Sequence, residues 1–482
     1  METEHFDVLI VGAGLSGIGA AVHLQRALPT QRFAMLEGRA ALGGTWDLFR
    51  YPGVRSDSDM YTLGYAHKPW TDAKSIADGS AILSYLQSAA REANLDQHIR
   101  YDHRVRNAAW SSAEALWTVE VYTGGLTKQF TCNFLLMCSG YYNYTQGYTP
   151  DFPGLQNFKG QLLHPQQWPA DFDATGKRVV VVGSGATAVT LVPALAEHAA
   201  HVTMLQRSPT YVVARPSEDP LSNWLNRHLP QRLAYSISRW KNLLLSMLVY
   251  KLCKWKPEFM KKTLLKEVQK TLGAEFDVAK HFTPSYKPWD QRVCLVPDGD
   301  FFNSIKSGKA TVVTEHIAHF TETGIALQSG QELLADVVVS ATGLDLLMLG
   351  GMTLVVDGAP VDIPSTTNYR GMMLSGVPNM AYVFGYTNAS WTLRADLTSE
   401  YLCRLLSTMA ANGYKQCTPR LRDASMPQED FVDLSSGYFQ RSLHILPKQG
   451  SKKPWRQYQN YFSDMLSLRW SKLDDGAMEF KS

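Results

Sequence analysis

The chain has 482 residues, enough for two or three domain-sized units and a large core that needs no disulfide or metal staples. Its 47 Lys and Arg against 44 Asp and Glu, a net charge of +3, exclude a nucleic-acid binder that works by bulk charge. Hydrophobic residues at 45% with 19% charged exclude a disordered or fibrous chain. The six cysteines show no CxxC spacing, which speaks against a disulfide framework, a zinc site and a dithiol redox pair. No secretory signal pattern opens the sequence, and no stretch reaches the roughly 18 apolar residues of a membrane span. A reducing, cytoplasmic setting is expected.

Residues 8–11 form an apolar run that predicts a buried strand. Gly12, Gly14 and Gly17 follow in GxGxxG spacing, and residues 18–28 read as a helix. A second strand ends on Glu37. Gly12 permits a tight turn, Gly14 lets a pyrophosphate approach the backbone, and Gly17 lets helix pack on strand. The helix start offers unpaired N–H groups and the positive end of a dipole. Glu37 is placed to accept from ribose hydroxyls, which fits an adenosine with a free ribose, as in FAD.

Residues 43–57 (GGTWDLFRYPGVRSD) and 158–169 (FKGQLLHPQQWP) are rich in Gly, Pro and Trp. Taken singly they read as linkers, with His164 as a structural histidine. Between them, residues 132–140 predict a buried strand whose small terminal residues let a backbone approach a cofactor. An even spacing puts Cys132 and Cys138 on one strand face, as core.

Residues 178–188 (RVVVVGSGATA) repeat the first pattern, with Gly183, Gly185 and Ala188 in the permitted GxGxxA variant. The following strand, HVTMLQR, ends on Arg207. A guanidinium there answers a 2′-phosphate that a carboxylate would repel, so this fold fits NADP. Residues 239–262 place basic residues and Trp at both ends of an apolar run. That suits either an interfacial helix on a membrane or a helical insert over the substrate entrance. Residues 335–343 close the second half as 132–140 close the first. Residues 380–384 read as a strand, and Asn388 or Ser390 would cap a helix from near Thr392. That helix start would face a flavin, and Trp391 would wall the substrate site or pack in the core. The predicted fold class is α/β, with two Rossmann-like dinucleotide-binding domains. The FAD domain is expected from 1–150 and 336–482 together, the NADP domain from 151–335, with a helical insert at 220–290.

Together the two linker stretches resemble the paired fingerprints of type I Baeyer–Villiger monooxygenases, GGxWxxxxYPGxxxD and FxGxxxHxxxWP. Every defined position matches, from Gly43 to Asp57 and from Phe158 to Pro169. The resemblance runs the length of the chain and is strongest to the short, ethionamide-activating mycobacterial subgroup. It implies an FAD-dependent enzyme that consumes NADPH and dioxygen and turns ketones into esters or lactones. Sulfides and thioamides are implied as further substrates. It also implies that Ser16 and Glu37 hold the FAD diphosphate and ribose, and that Thr45, Trp46, Asp47 and Leu48 lie along that cofactor. Val105 would meet the adenine, and Asp57 would sit beside the flavin. Arg55, Ser56, Ser184, Gly185, Ala186, Thr187, Ala188, Val189, Thr190, Arg207 and Ser208 would line the NADP site. Arg292, in PWDQR, corresponds to the family's catalytic arginine. Larger relatives carry Lys where this chain has Gln291, so NADPH preference is expected to rest mainly on Arg207.

The role of Arg292 has its own physical ground. An oxygen-derived anion that attacks a carbonyl needs a fixed positive charge beside it. A guanidinium keeps that charge, whereas a desolvated Lys could lose its proton and a His would deliver one. Asp57 is the carboxylate expected to orient it. Three other readings remain. A flavin monooxygenase restricted to S- or N-oxygenation is opposed by Trp168 and Arg292, and a dithiol reductase lacks its CxxC. A non-enzymatic nucleotide sensor would need no arginine beside a flavin.

Overall fold

In the computed structural model, which describes residues 3–482, the sequence repeat becomes two sheets. The parallel part of the first runs Leu126–Met137, Glu4–Val11, Phe33–Leu36, Ile99–Arg100 in spatial order. Two antiparallel strands, Leu116–Thr123 and Arg104–Ser111, continue it beyond Leu126–Met137. Met380–Tyr382 pairs in parallel with Leu126–Met137, so the C-terminal region returns to the first fold. The second sheet is wholly parallel, in the order Ala310–Thr314, His201–Gln206, Arg178–Val182, Val337–Ser340, Gln161–Leu163.

Val337–Ser340 corrects the expected boundary between residues 335 and 336. It pairs on one side with Arg178–Val182 and on the other with Gln161–Leu163, as a central strand of the second sheet. Its four residues are all buried, as a parallel strand covered on both faces requires. The first fold therefore resumes only beyond residue 340.

Each fold turns from its first strand into its helix through a glycine that has no room for a side chain. Gly12 has φ +108°, and a Cβ there would lie 2.5 Å from the Cys138 carbonyl oxygen. Gly183 has φ +137°, and its Cβ would lie 2.3 Å from the Ala341 carbonyl oxygen. The sheet neighbours diverge at these turns, which opens a crevice at the carboxyl ends of the strands.

Cys132 and Cys138 are both buried but do not share a face. Cys132 packs in the cluster with Leu135 and Met137, and Cys138 in the one with Phe134 and Leu136. The alternation slips between Cys132 and Phe134, where the strand's pairing passes from Leu116–Thr123 to Met380–Tyr382.

The passage between the sheets is the FKGQLLHPQQWP stretch. His164 Nδ1 accepts from the Gln166 backbone N–H at 3.2 Å. The Gln166 amide donates to the Asn143 carbonyl at 2.5 Å, and that of Gln167 to the Thr145 carbonyl at 3.0 Å. The stretch thus pins the edge of the second sheet to the strand Tyr142–Gly147. Between Val212–Arg215 and Cys294–Pro297 lie the helices Pro220–His228, Gln231–Trp255, Pro257–Leu272 and Val278–Phe282, where an insert is expected. The longest of them reaches the first fold, because Arg239 donates to the carbonyls of Tyr61 at 2.8 Å and Gly64 at 2.7 Å. No helix of the described residues is long and apolar enough to cross a membrane.

His67 stacks on Tyr65 with ring centroids 5.0 Å apart, and burial holds its pKa at about 4 against 6.5. Burial lowers His164 and His281 as well. Unfolding lets the His67 ring take up a proton within that interval, so stability is lost as pH falls from 6.5 through about 4. Urea denaturation near pH 5 should therefore give a lower midpoint than near pH 7, and His67→Gln should shrink the difference without abolishing it.

Candidate active site

Both glycine turns face one cleft of about 1130 Å³, above the roughly 300–1,000 Å³ usual for a single small ligand. The first fold lines it with Gly12, Gly14, Ser16, Glu37, Thr45, Trp46, Leu48 and Val105. The second lines it with Gly183, Ser184, Gly185, Ala186, Thr187, Thr190, Arg207 and Ser208. Arg55, Ser56, Asp57, Gln291 and Arg292 complete the wall. The helices Leu15–Ala27 and Ala186–Ala196 both begin here behind a glycine, with no side-chain cap. Their first N–H groups are thereby left for an anion, so the residues fit two dinucleotide phosphates.

Local bonds explain how each wall is held. Glu37 accepts from the backbone N–H of Ala13 at 2.8 Å and of Arg39 at 2.9 Å. Burial raises its pKa despite those bonds. Ser184 Oγ donates to the Ser208 carbonyl at 3.0 Å and also meets the Thr210 hydroxyl at 3.0 Å. That ties the second glycine loop to the strand end carrying Arg207, whose side chain is exposed. Ser56 Oγ accepts from the Ser58 N–H at 2.9 Å.

One ion pair joins the two halves. Arg292 precedes the strand Cys294–Pro297, while Asp57 ends the glycine-rich loop of the first fold, and the guanidinium donates to the carboxylate. Asp57 holds the arginine pKa above its usual value, against the cost of burial. The phenols of Tyr141, Tyr142 and Tyr438 stand nearby, kept neutral by burial. The Arg292 side chain is still 39% exposed, which leaves part of the guanidinium open to the cleft.

Four expected cofactor residues stand off the wall. Asp47 is buried and paired with Arg39 and Arg50, each at 2.6 Å, so its charge is spent inside the loop. Gly17 lies behind the first turn, where a Cβ would come within 1.9 Å of the Gly12 carbonyl oxygen. Ala188 and Val189 point into the core with Leu191 and Val192, because one face of their helix must pack on the sheet. Arg55 does reach the wall, but its guanidinium also donates to Asp300, at 3.3 Å for one of the two bonds.

The C-terminal helix begins at Trp391, one residue before its expected start. Ser390 occupies the cap position, yet its hydroxyl bonds that of Thr62 at 2.6 Å and no backbone N–H. Trp391 lines the cleft, packs against Tyr141 at 5.3 Å, and donates its indole N–H to Ser16 Oγ at 2.7 Å. Tyr438 and Arg441 also line the cleft, from a segment in which the sequence shows no periodic pattern. Tyr141 and Tyr142 had a signal in the CSGYYNY run.

A family model described as flavin-binding monooxygenase-like matches residues 64–348, and one for an NAD(P)-binding Rossmann-like domain matches residues 10–71. The chain belongs to the flavin-binding monooxygenase-like family. It is 54% identical over 479 residues to the FAD-containing monooxygenase EthA of Mycolicibacterium smegmatis, across 99% of this chain and 97% of that protein. It is also 54% identical to the EthA of Mycobacterium tuberculosis, across 99% and 98% of the two chains. Among solved structures it shares the fold of an oxidized steroid monooxygenase bound to NADP, with a TM-score of 0.78, 22% identity and 99% of each chain covered.

The glycine geometry separates two effects in this flavin-binding monooxygenase-like chain. Gly183→Ala should destabilise the protein by about 1–3 kcal/mol in chemical denaturation, because its Cβ meets a carbonyl at positive φ. A Cβ on Gly185 would meet nothing within 4 Å, so Gly185→Ala should cost under about 1 kcal/mol. The same Gly185→Ala change should still weaken dinucleotide binding in calorimetry, because it fills the approach to the helix start.

Proposed function

We propose that this chain is an FAD-dependent monooxygenase that uses NADPH and dioxygen to convert ketones to esters or lactones, and that it also oxygenates sulfides and thioamides. The observation that carries this reading is the Arg292–Asp57 pair, set between two crevices that each suit a dinucleotide. The near-full-length similarity to FAD-containing monooxygenases supports it. Bound FAD, once reduced by NADPH, would supply the activation of dioxygen, with one oxygen atom passing to substrate and the other to water.

The protein's part is binding, orientation and charge. The first glycine turn and the start of Leu15–Ala27 take the FAD diphosphate, with Ser16 beside them and Glu37 at the ribose. Trp391 holds Ser16 by its hydroxyl oxygen, which leaves the hydroxyl proton for a phosphate. Thr45, Trp46 and Leu48 lie along the cofactor, and Val105 meets the adenine. Gly183, Ser184, Gly185, Ala186, Thr187 and Thr190 cradle NADPH, with Arg55, Ser56 and Ser208 on the same wall. Arg207 takes the 2′-phosphate without help from the uncharged Gln291.

Arg292 stabilises negative charge as it develops on the oxygens during attack on the carbonyl. Asp57 fixes the guanidinium so that no reorganisation is needed at that moment. The neutral tyrosines and Trp391 wall the site and keep water from the reacting atoms.

Arg292→Ala should leave NADPH-driven flavin reduction near the parent rate and lower ester formation by about 10²–10³-fold or more. Ester formation at the parent rate in that variant would refute the role given to Arg292. Steady-state kinetics of Arg207→Ala should show KM for NADPH raised about 10–100-fold, with KM for NADH little changed.

A further inference from the structure

The helix Gln231–Trp255 has two unlike faces. Inward, Arg239 and Asn242 grip the segment that follows Asp57, with Asn242 donating to Asp59 at 3.2 Å. Further along, Tyr250 meets Trp289 edge-on at 5.6 Å and Lys254 pairs with Asp290 at 3.0 Å. The one helix thus holds both chain segments that carry the Arg292–Asp57 pair.

Outward, Leu233, Ile237, Trp240, Leu244, Leu248 and Trp255 follow at steps of three, four or seven residues. They form a single stripe along a helix about 37 Å long. Each of the six is between 40% and 73% exposed, although a surface helix ordinarily turns such a stripe inward. Trp240 stacks on Phe462 with centroids 6.0 Å apart, and the helix Tyr461–Trp470 adds exposed Leu466 and Trp470 at the same four-residue step.

Charge selects the occupant. Residues 220–257 contain seven Lys or Arg and no Asp or Glu. Arg239, Lys241 and Lys254 are consumed by Asp396, Asp219 and Asp290. Arg227, Arg232, Lys251 and Lys256 remain exposed, and the Lys256 ammonium lies 4.6 Å from the Trp255 ring at the end of the stripe. A second copy would set basic surface against basic surface. An anionic bilayer satisfies both features, since apolar side chains pass below the headgroups while Lys and Arg meet the phosphates.

We propose that this stripe seats the protein in the interfacial plane of an anionic phospholipid membrane. The elements bearing Asp57 and Arg292 are then fastened directly behind the docked face. Docking does not depend on the oxygenation reading, and its test does not use activity.

Flotation of the full chain with phosphatidylcholine vesicles, with and without phosphatidylglycerol, tests the proposal. The parent should float only with the anionic vesicles. Leu244→Glu combined with Leu248→Glu should leave the protein in the soluble fraction. Lys251→Gln with Lys256→Gln should weaken binding about fivefold for each charge removed. Circular dichroism and thermal midpoints matching the parent would assign these losses to docking, and the Gln pair provides a second route if the Glu pair misfolds. Failure of the parent to bind, equal binding to neutral and anionic vesicles, or parent-like flotation of both variants would overturn the proposal. A dimer that the Glu pair splits, with no vesicle binding by either form, would also overturn it, because a second copy would then cover the face.

Discussion

The ion pair between Asp57 and Arg292 joins residues 235 positions apart and drawn from two different nucleotide folds. Both side chains keep roughly a third of their surface exposed, and a pair so exposed contributes about 0–1 kcal/mol to stability. Its value is therefore positional: it sets a permanent cation where the two crevices meet. The surrounding structure also accepts a cost to hold that position. Trp289 in the same loop has φ +70°, a backbone that costs about 1–2 kcal/mol for a residue with a side chain. Tyr250 and Asp290, through Lys254, hold that loop on the long helix.

The two fingerprints serve this arrangement differently. Residues 43–57 form wall, with Thr45, Trp46, Leu48 and Asp57 on the cleft. Residues 158–169 stay outside it. Gln166 and Gln167 fasten the linker to the strand Tyr142–Gly147, His164 accepts from the Gln166 backbone N–H within the linker, and Trp168 packs edge-on against Phe172 at 5.2 Å. His164 is a half-buried structural residue of the linker, and desolvation lowers its pKa and favours the neutral ring.

What the sequence disclosed follows physical necessity. Gly12 and Gly183 were legible because each turn runs against a neighbouring carbonyl that only glycine tolerates. Their strands were legible as continuous buried runs of β-branched and aliphatic residues. Asp47 lies off the cleft wall because Arg39 and Arg50 pair with it, and no periodicity points to them. The side chains of Ala188 and Val189 pack in the core, and a motif gives spacing along a helix but not which face meets the sheet. Tyr438 and Arg441 reach the cleft wall by long-range packing from a segment with no local pattern, and Asp300 meets the site only through its bond from Arg55. The stretch 239–262 left two readings open, since hydrophobic order alone cannot say which face a neighbour covers.

If Asp57 acts only by fixing Arg292, the two residues form one functional unit. A double-mutant cycle measures this directly, with ester-forming kcat/KM determined for Asp57→Ala, Arg292→Ala and the combined variant at saturating NADPH. The combined variant should be within about threefold of Arg292→Ala alone, because the carboxylate has nothing left to orient. Losses that multiply in the combined variant would contradict this and give Asp57 a separate task.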